Sequence, residues 1–86
     1  MALPAAPDWL TKREGTLKPG LRGYIAFVMI ANRPEYRLEL RPANGKFACV
    51  VRYTVNGKLI EGHESQPTAD AAWANGLTRL QAKLGW

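Results

Sequence analysis

Two Asn-Gly pairs, Asn44-Gly45 and Asn56-Gly57, stand at either end of the segment 46–55 and constrain this chain's fold more than any other feature. Asn-Gly accepts the positive φ that tight hairpin turns require, and such turns have the twist of the strands they join. Ahead of the first pair, Tyr36-Arg37-Leu38-Glu39-Leu40-Arg41 alternates apolar and charged residues without exception, the period-two mark of a strand with one wet face. The pattern therefore predicts strands over 36–41, 46–55 and 58–63, joined by two hairpins. If Asn56-Gly57 is a two-residue loop, Val55 faces Lys58, Tyr53 faces Ile60 and Val51 faces Gly62, while Arg52 falls opposite Glu61 on the other face. Tyr36, Leu38, Leu40, Phe47, Cys49, Val51, Tyr53 and Ile60 then share an apolar face, and Arg37, Glu39, Arg41, Arg52, Thr54, Glu61 and His63 share a polar one.

Upstream, the unbroken apolar run 24–30 is rich in β-branched and aromatic residues, and its length suits a further strand. The alternative is a helix over 21–31, since Leu21, Ile25, Val28 and Met29 would share a helical face and give the order α-β-β-β-α. Downstream, Ser65 or Thr68 can cap a helix over 67–84 that ends where Gly85 takes a left-handed conformation. Ala69, Ala72, Trp73, Gly76, Leu77, Leu80 and Leu84 form its apolar stripe, and Gly76 implies that a sheet side chain, Tyr53 or Phe47, needs the space. Prolines and glycines punctuate 1–20 too densely for long elements, so this stretch reads as an N-terminal arm, with Asp8 capping one helical turn at 9–14 that Gly15 stops. The expected fold is a single α+β domain over 21–86: an antiparallel β-meander of three to four strands packed by one C-terminal helix.

Composition narrows the function classes. At 86 residues and 47% hydrophobic, the chain has room for one core and is far from the signature of disorder. A single cysteine, Cys49, cannot close an internal disulfide, and with a single histidine it cannot supply a zinc site, so no metal or other cofactor is expected. The first residues lack a secretory pattern and no apolar run is long enough to span a bilayer, so a cytoplasmic location and no membrane partner are expected, with oligomeric state left open. The formal charge of +5 is concentrated: ten of the 12 Lys and Arg lie in residues 1–58, against four of the seven acids. A charge surplus of this kind favours an acidic partner, nucleic acid first.

Catalytic chemistry has little to stand on. His63 lacks a nucleophile and an orienting group, Cys49 falls on the apolar side between Phe47 and Val51, and Glu39 and Glu61 lie among Arg37, Arg41 and Arg52, which lower carboxylate pKa values. A non-enzymatic binding module is expected. Arg37, Arg41 and Arg52 on the wet sheet face can meet phosphates, with Lys46, Lys58 and the arm residues Lys12, Arg13, Lys18 and Arg22 extending the patch. Tyr36, Phe47 and Tyr53 point inward, which disfavours single-strand binding by base stacking. The alternative is a protein-interaction or accessory domain that uses Trp9 and Trp86, because tryptophan dominates interface hot spots, whereas Trp73 reads as the helix's core anchor.

From Pro34-Glu35-Tyr36 through Lys46-Phe47-Ala48-Cys49-Val50-Val51 and Asn56-Gly57-Lys58 to the alanine-rich helix, residues 34–84 resemble double-stranded RNA-binding domains. That resemblance implies shape recognition of a duplex through a lysine-rich start to the last helix. The matching stretch here reads Ser65-Gln66-Pro67-Thr68-Ala69-Asp70, without the lysines and with an acid. The sheet and helix are also similar, more loosely, to AP2 and phage-integrase arm-binding domains, a likeness that implies a sheet laid in the DNA major groove with Arg37, Arg41 and Arg52 as readers.

Overall fold

The computed structural model describes residues 4–20, 23–60 and 64–86. A short helix α1 (Asp8–Thr11) precedes the strands β1 (Gly15–Pro19), β2 (Ile25–Ile30), β3 (Arg33–Ala43) and β4 (Lys46–Tyr53), and the helix α2 (Ala69–Leu84) closes the chain. The four strands form an antiparallel sheet in the order β1-β2-β3-β4, so each pairs with its neighbour in sequence. The helix α2 packs chiefly on β4 and then on β3, and α1 sits against β1. No helix among the described residues is long and apolar enough to cross a membrane.

Two tight turns set the meander. Asn44-Gly45 takes φ of 53° and 75° between Ala43 and Lys46, as its composition predicts. Ala31-Asn32 adopts φ of 53° and 65° between Ile30 and Arg33, the same mirror-image turn from a pair in which Ala31 has no side-chain group to offset the left-handed backbone. Because that turn is so short, β3 begins at Arg33 and not near residue 36. Between the Val28↔Tyr36 and Met29↔Pro34 pairs the register shifts, leaving Glu35 as the extra residue of a bulge. Pro34 brings no N–H to the ladder, and a bulge is where a strand tolerates that.

The apolar run expected as a strand over 24–30 is the strand β2 over 25–30, and not the helical alternative. Three regions differ from expectation. The stretch 1–20 is not an arm: Gly15–Pro19 supplies the fourth strand, Leu10 is fully buried, and Ala6, Trp9 and Leu17 pack against the core. An edge strand tolerates Pro19 at its end, which is why proline punctuation did not exclude one here. The helix at 9–14 runs instead over Asp8–Thr11 with Pro7 at the N-cap, and Glu14, not Gly15, takes the left-handed conformation with φ of 59°. Gly15 serves close packing, because a Cβ there would lie 2.9 Å from the Leu10 carbonyl oxygen.

The third difference lies after β4. Residues 58–60 add no strand, and Leu59 makes one isolated bridge to Arg52, while 61–63, with Glu61 and His63, fall outside the described residues. Thr54-Val55-Asn56-Gly57 forms a longer loop in which the Tyr53 N–H donates to the Lys58 carbonyl at 3.0 Å and the Ile60 N–H to that of Val51 at 3.0 Å. Tyr53 therefore faces Lys58 and not Ile60, a slip of two residues that keeps Val51 and Ile60 on one face and Arg52 on the other.

The core lies between the sheet and α2. Ala26, Val28, Leu38, Leu40, Cys49 and Val51 from the sheet meet Ala72, Trp73, Leu77 and Leu80 from the helix, with Leu10 at one end. Tyr36 and Tyr53 face each other on this side with ring centroids 5.7 Å apart. Thr68 caps α2 by accepting from the Ala71 N–H at 3.1 Å, and Gly85 ends it with φ of 71°. The residue that Gly76 accommodates is Cys49, not Tyr53 or Phe47: a Cβ on Gly76 would lie 2.9 Å from the Cys49 Cβ and closer still to its sulfur.

Candidate nucleic-acid interface

Pairing fixes which side chains leave the helix-free face. The pairs Lys18↔Phe27, Phe27↔Arg37 and Arg37↔Arg52 set four residues in one row across all four strands. The adjoining row on β3 and β4 pairs Glu39 with Val50, and the next pairs Arg41 with Ala48. Val50 and Ala48 are buried although they face away from α2, flanked in the register by these long polar side chains.

Glu39 organises the centre of the face. Arg52 Nε donates to Glu39 Oε1 at 2.8 Å, Arg41 donates to Oε2 at 3.4 Å, and the Arg37 guanidinium lies 3.5 Å from Oε1. Burial on its own would raise the Glu39 pKa, but hydrogen bonds from Arg52 and Arg41 and the charges of Arg37 and Arg41 outweigh it and hold the carboxyl below its usual range. One carboxylate against three guanidiniums leaves the cluster positive.

The three arginines are not equivalent. Arg52 also donates to the Gly57 carbonyl at 3.0 Å, tying β4 to the loop after it, and its side chain is 28% exposed. Arg41 is 57% exposed with Glu39 as its ionic contact, and Arg37 is intermediate, with its Nε buried and without a hydrogen-bond partner. Arg52 belongs to the framework of the face, and Arg37 and Arg41 to its surface.

The nine basic residues expected to form one patch divide. Lys18, Arg37, Arg41 and Arg52 share the helix-free face, and Lys46, exposed beside the Asn44-Gly45 turn, extends β4 in the same alternation. Lys58 stands in register with the inward-facing Tyr53 at the other end of β4. Lys12 and Arg13 sit after α1, next to the end of α2, where Arg13 lies 4.4 Å over the Trp86 ring and Trp86 packs 6.0 Å from Trp9. Arg22 lies outside the described residues. Trp9, Lys12, Arg13, Gln81 and Trp86 line a groove of about 470 Å³ at this second location.

Two residues of the helix-free face escaped the sequence pattern. Phe27 stands between Lys18 and Arg37, and Met29 is two residues on along β2. With Lys18, Pro19 and Pro34 they line a shallow apolar hollow of about 270 Å³. Every residue from 24 to 30 is apolar, so alternation gives no face for β2, and only its register with the charged β3 does so.

The one thiol offers no chemistry at this face. Cys49 is fully buried on the opposite side, and desolvation pushes its pKa up to about 12, only partly offset by the charge of Arg79. Comparison of the chain with family models, with curated proteins and with solved structures finds no match.

Proposed function

We propose that this chain is a non-enzymatic binding domain that engages nucleic acid through the helix-free face of its sheet. The observation that carries the proposal is the gathering of Lys18, Arg37, Arg41 and Arg52 on one face, with Glu39 as the acid among them. A polyanion placed there replaces condensed counterions with fixed cations, and Arg37 and Arg41 keep donors free for phosphate oxygens. Glu39 then holds the three guanidiniums together against their mutual repulsion. The non-enzymatic reading draws support from the engagement of the Glu39 carboxylate by three arginines and from the full burial of Cys49 on the opposite side of the sheet.

The test is a salt titration of labelled duplex DNA, duplex RNA and single strands, followed by fluorescence anisotropy. Changing Lys18, Arg37 and Arg41 together to glutamine should weaken binding and flatten the salt slope by up to about 0.9 per lost duplex contact. Arg52 is left in place because it also holds the loop. Wild-type protein that binds none of these at low ionic strength removes the proposal.

A second function rests on the groove between Trp9 and Trp86. Two indoles and two cations suit an acidic segment of a protein partner, with Arg13 already stacked on Trp86. Failure of the salt titration together with binding of an acidic, aromatic-containing peptide that Trp9→Ala abolishes would favour it.

A further inference from the structure

Within the nucleic-acid reading on which it rests, we infer that the helix-free face takes single strands, with one unpaired base stacked on Phe27. The ring stands in a row of this face that crosses all four strands, with Lys18 directly paired on one side and Arg37 on the other. A flat aromatic between two cations matches the repeat of a single strand, in which each base is followed by a phosphate. The base stacks on the ring and the flanking cations take the backbone. The Arg37 side chain is 36% exposed, so its terminal guanidinium nitrogens, and not its buried Nε, are what a phosphate meets.

The surroundings of Phe27 select against a duplex. Pro19, Met29 and Pro34 line the hollow with it, and Pro34 belongs to the bulge that interrupts the β2–β3 pairing. About 270 Å³ gives room for one planar ring. Bases within a duplex present only their edges, so a ring at the bottom of a hollow reaches them only when the base is unstacked. Glu39 lies on the other side of Arg37 from the hollow along β3, 3.5 Å from the Arg37 guanidinium, so a phosphate over Arg37 shares that cation with Glu39 whereas one over Lys18 lies two strands away from it. This reverses the expectation that the face lacks an aromatic, which followed from counting Tyr36, Phe47 and Tyr53 alone.

The experiment compares oligothymidine, oligouridine and a DNA duplex of equal length, each labelled and titrated by anisotropy at two salt concentrations. The proteins are wild type, Phe27→Ala, Phe27→Tyr and Arg37→Gln, with thermal unfolding run on each. Wild type should prefer both single strands. Phe27→Ala should weaken single-strand binding roughly tenfold, within the range of one lost stack, at an unchanged salt slope. Phe27→Tyr should retain binding, and Arg37→Gln should lower the slope by about 0.7 on single strands. Duplex bound as tightly as single strands, or Phe27→Ala weakening both alike, overturns the stacking inference and leaves the nucleic-acid proposal standing. Loss of all binding at low salt in the wild type removes both.

Discussion

On β4, Cys49 and Val51 turn toward α2 and join Trp73, Leu77 and Leu80 in the core, while Val50 and Arg52, one residue along, turn away toward Glu39 and its arginines. The inner face is held by shape: its residues are apolar, closely fitted and without charge. The outer face is held by charge, with aliphatic surface beneath ion pairs that water reaches. Disturbing the first should change stability at every pH and salt concentration, whereas disturbing the second should change stability modestly and in a way that depends on both.

The largest expected effect is on the inner face. Trp73 is fully buried, so Trp73→Ala should cost about 3–5 kcal/mol in denaturant unfolding. A loss below about 1 kcal/mol would mean that the core closes without its anchor, and the contrast between the faces would fail. Trp73→Phe should cost distinctly less, because the indole N–H is buried without a partner and its removal relieves a desolvation penalty.

Gly76→Ala sharpens the same point by adding volume. Alanine gains about 1 kcal/mol of helix propensity. Against this, its Cβ would lie 2.9 Å from the Cys49 Cβ, and overpacking costs about 1–3 kcal/mol. A net loss of up to about 2 kcal/mol is expected from these two opposing effects. In a Cys49→Ala background the sulfur contact is gone but the Cβ contact at 2.9 Å remains, so the same substitution should cost less without becoming stabilising, a coupling that a double-mutant cycle measures.

How far each face could be read beforehand follows from the same contrast. Alternation on 36–41 assigned Leu38 and Leu40 inward and Arg37, Glu39 and Arg41 outward, because polar and apolar residues differ sharply in where they are stable. It assigned nothing on β2, where Ala26 and Val28 face the core and Phe27 and Met29 face out, all of them apolar. Turns behaved alike. Asn44-Gly45 declared itself, whereas Ala31-Asn32 and Glu14 take positive φ with residues that do not advertise it. At Asn56-Gly57 the hairpin signal was present, but Gly57 alone takes positive φ and the loop lengthens to four residues. The arginine face was therefore legible, and the aromatic within it was not.

On the outer face, Arg52→Gln should cost about 1 kcal/mol: charged hydrogen bonds are worth about 1.5–3 kcal/mol, discounted here because water reaches the side chain. The pH dependence follows from Glu39. Its folded pKa lies below the ordinary value of 4.5, so its contribution is present above that value and is lost as pH falls through the lowered one. Unfolding measured between pH 6 and about pH 3 should reveal an acid limb that Glu39→Gln flattens. An unchanged limb would mean that the three arginines do not act through this carboxylate.

Arg41→Gln should have the smallest effect. Its side chain is more exposed than those of Arg37 and Arg52, its contact with Glu39 is 3.4 Å, and Arg52 keeps Glu39 paired after the change. Solvated pairs of this geometry contribute little, so unfolding should shift by less than about 0.5 kcal/mol. Its effect on binding should be larger than its effect on stability. A guanidinium that the fold scarcely uses can turn to a phosphate without loss elsewhere, so the variant should lower the salt slope of nucleic-acid binding while leaving the unfolding midpoint in place. A loss of stability near that of Arg52→Gln would show that Arg41 is as much a part of the framework as Arg52. The outer face would then have fewer donors to offer a partner, and the distinction between framework and surface arginines would fall.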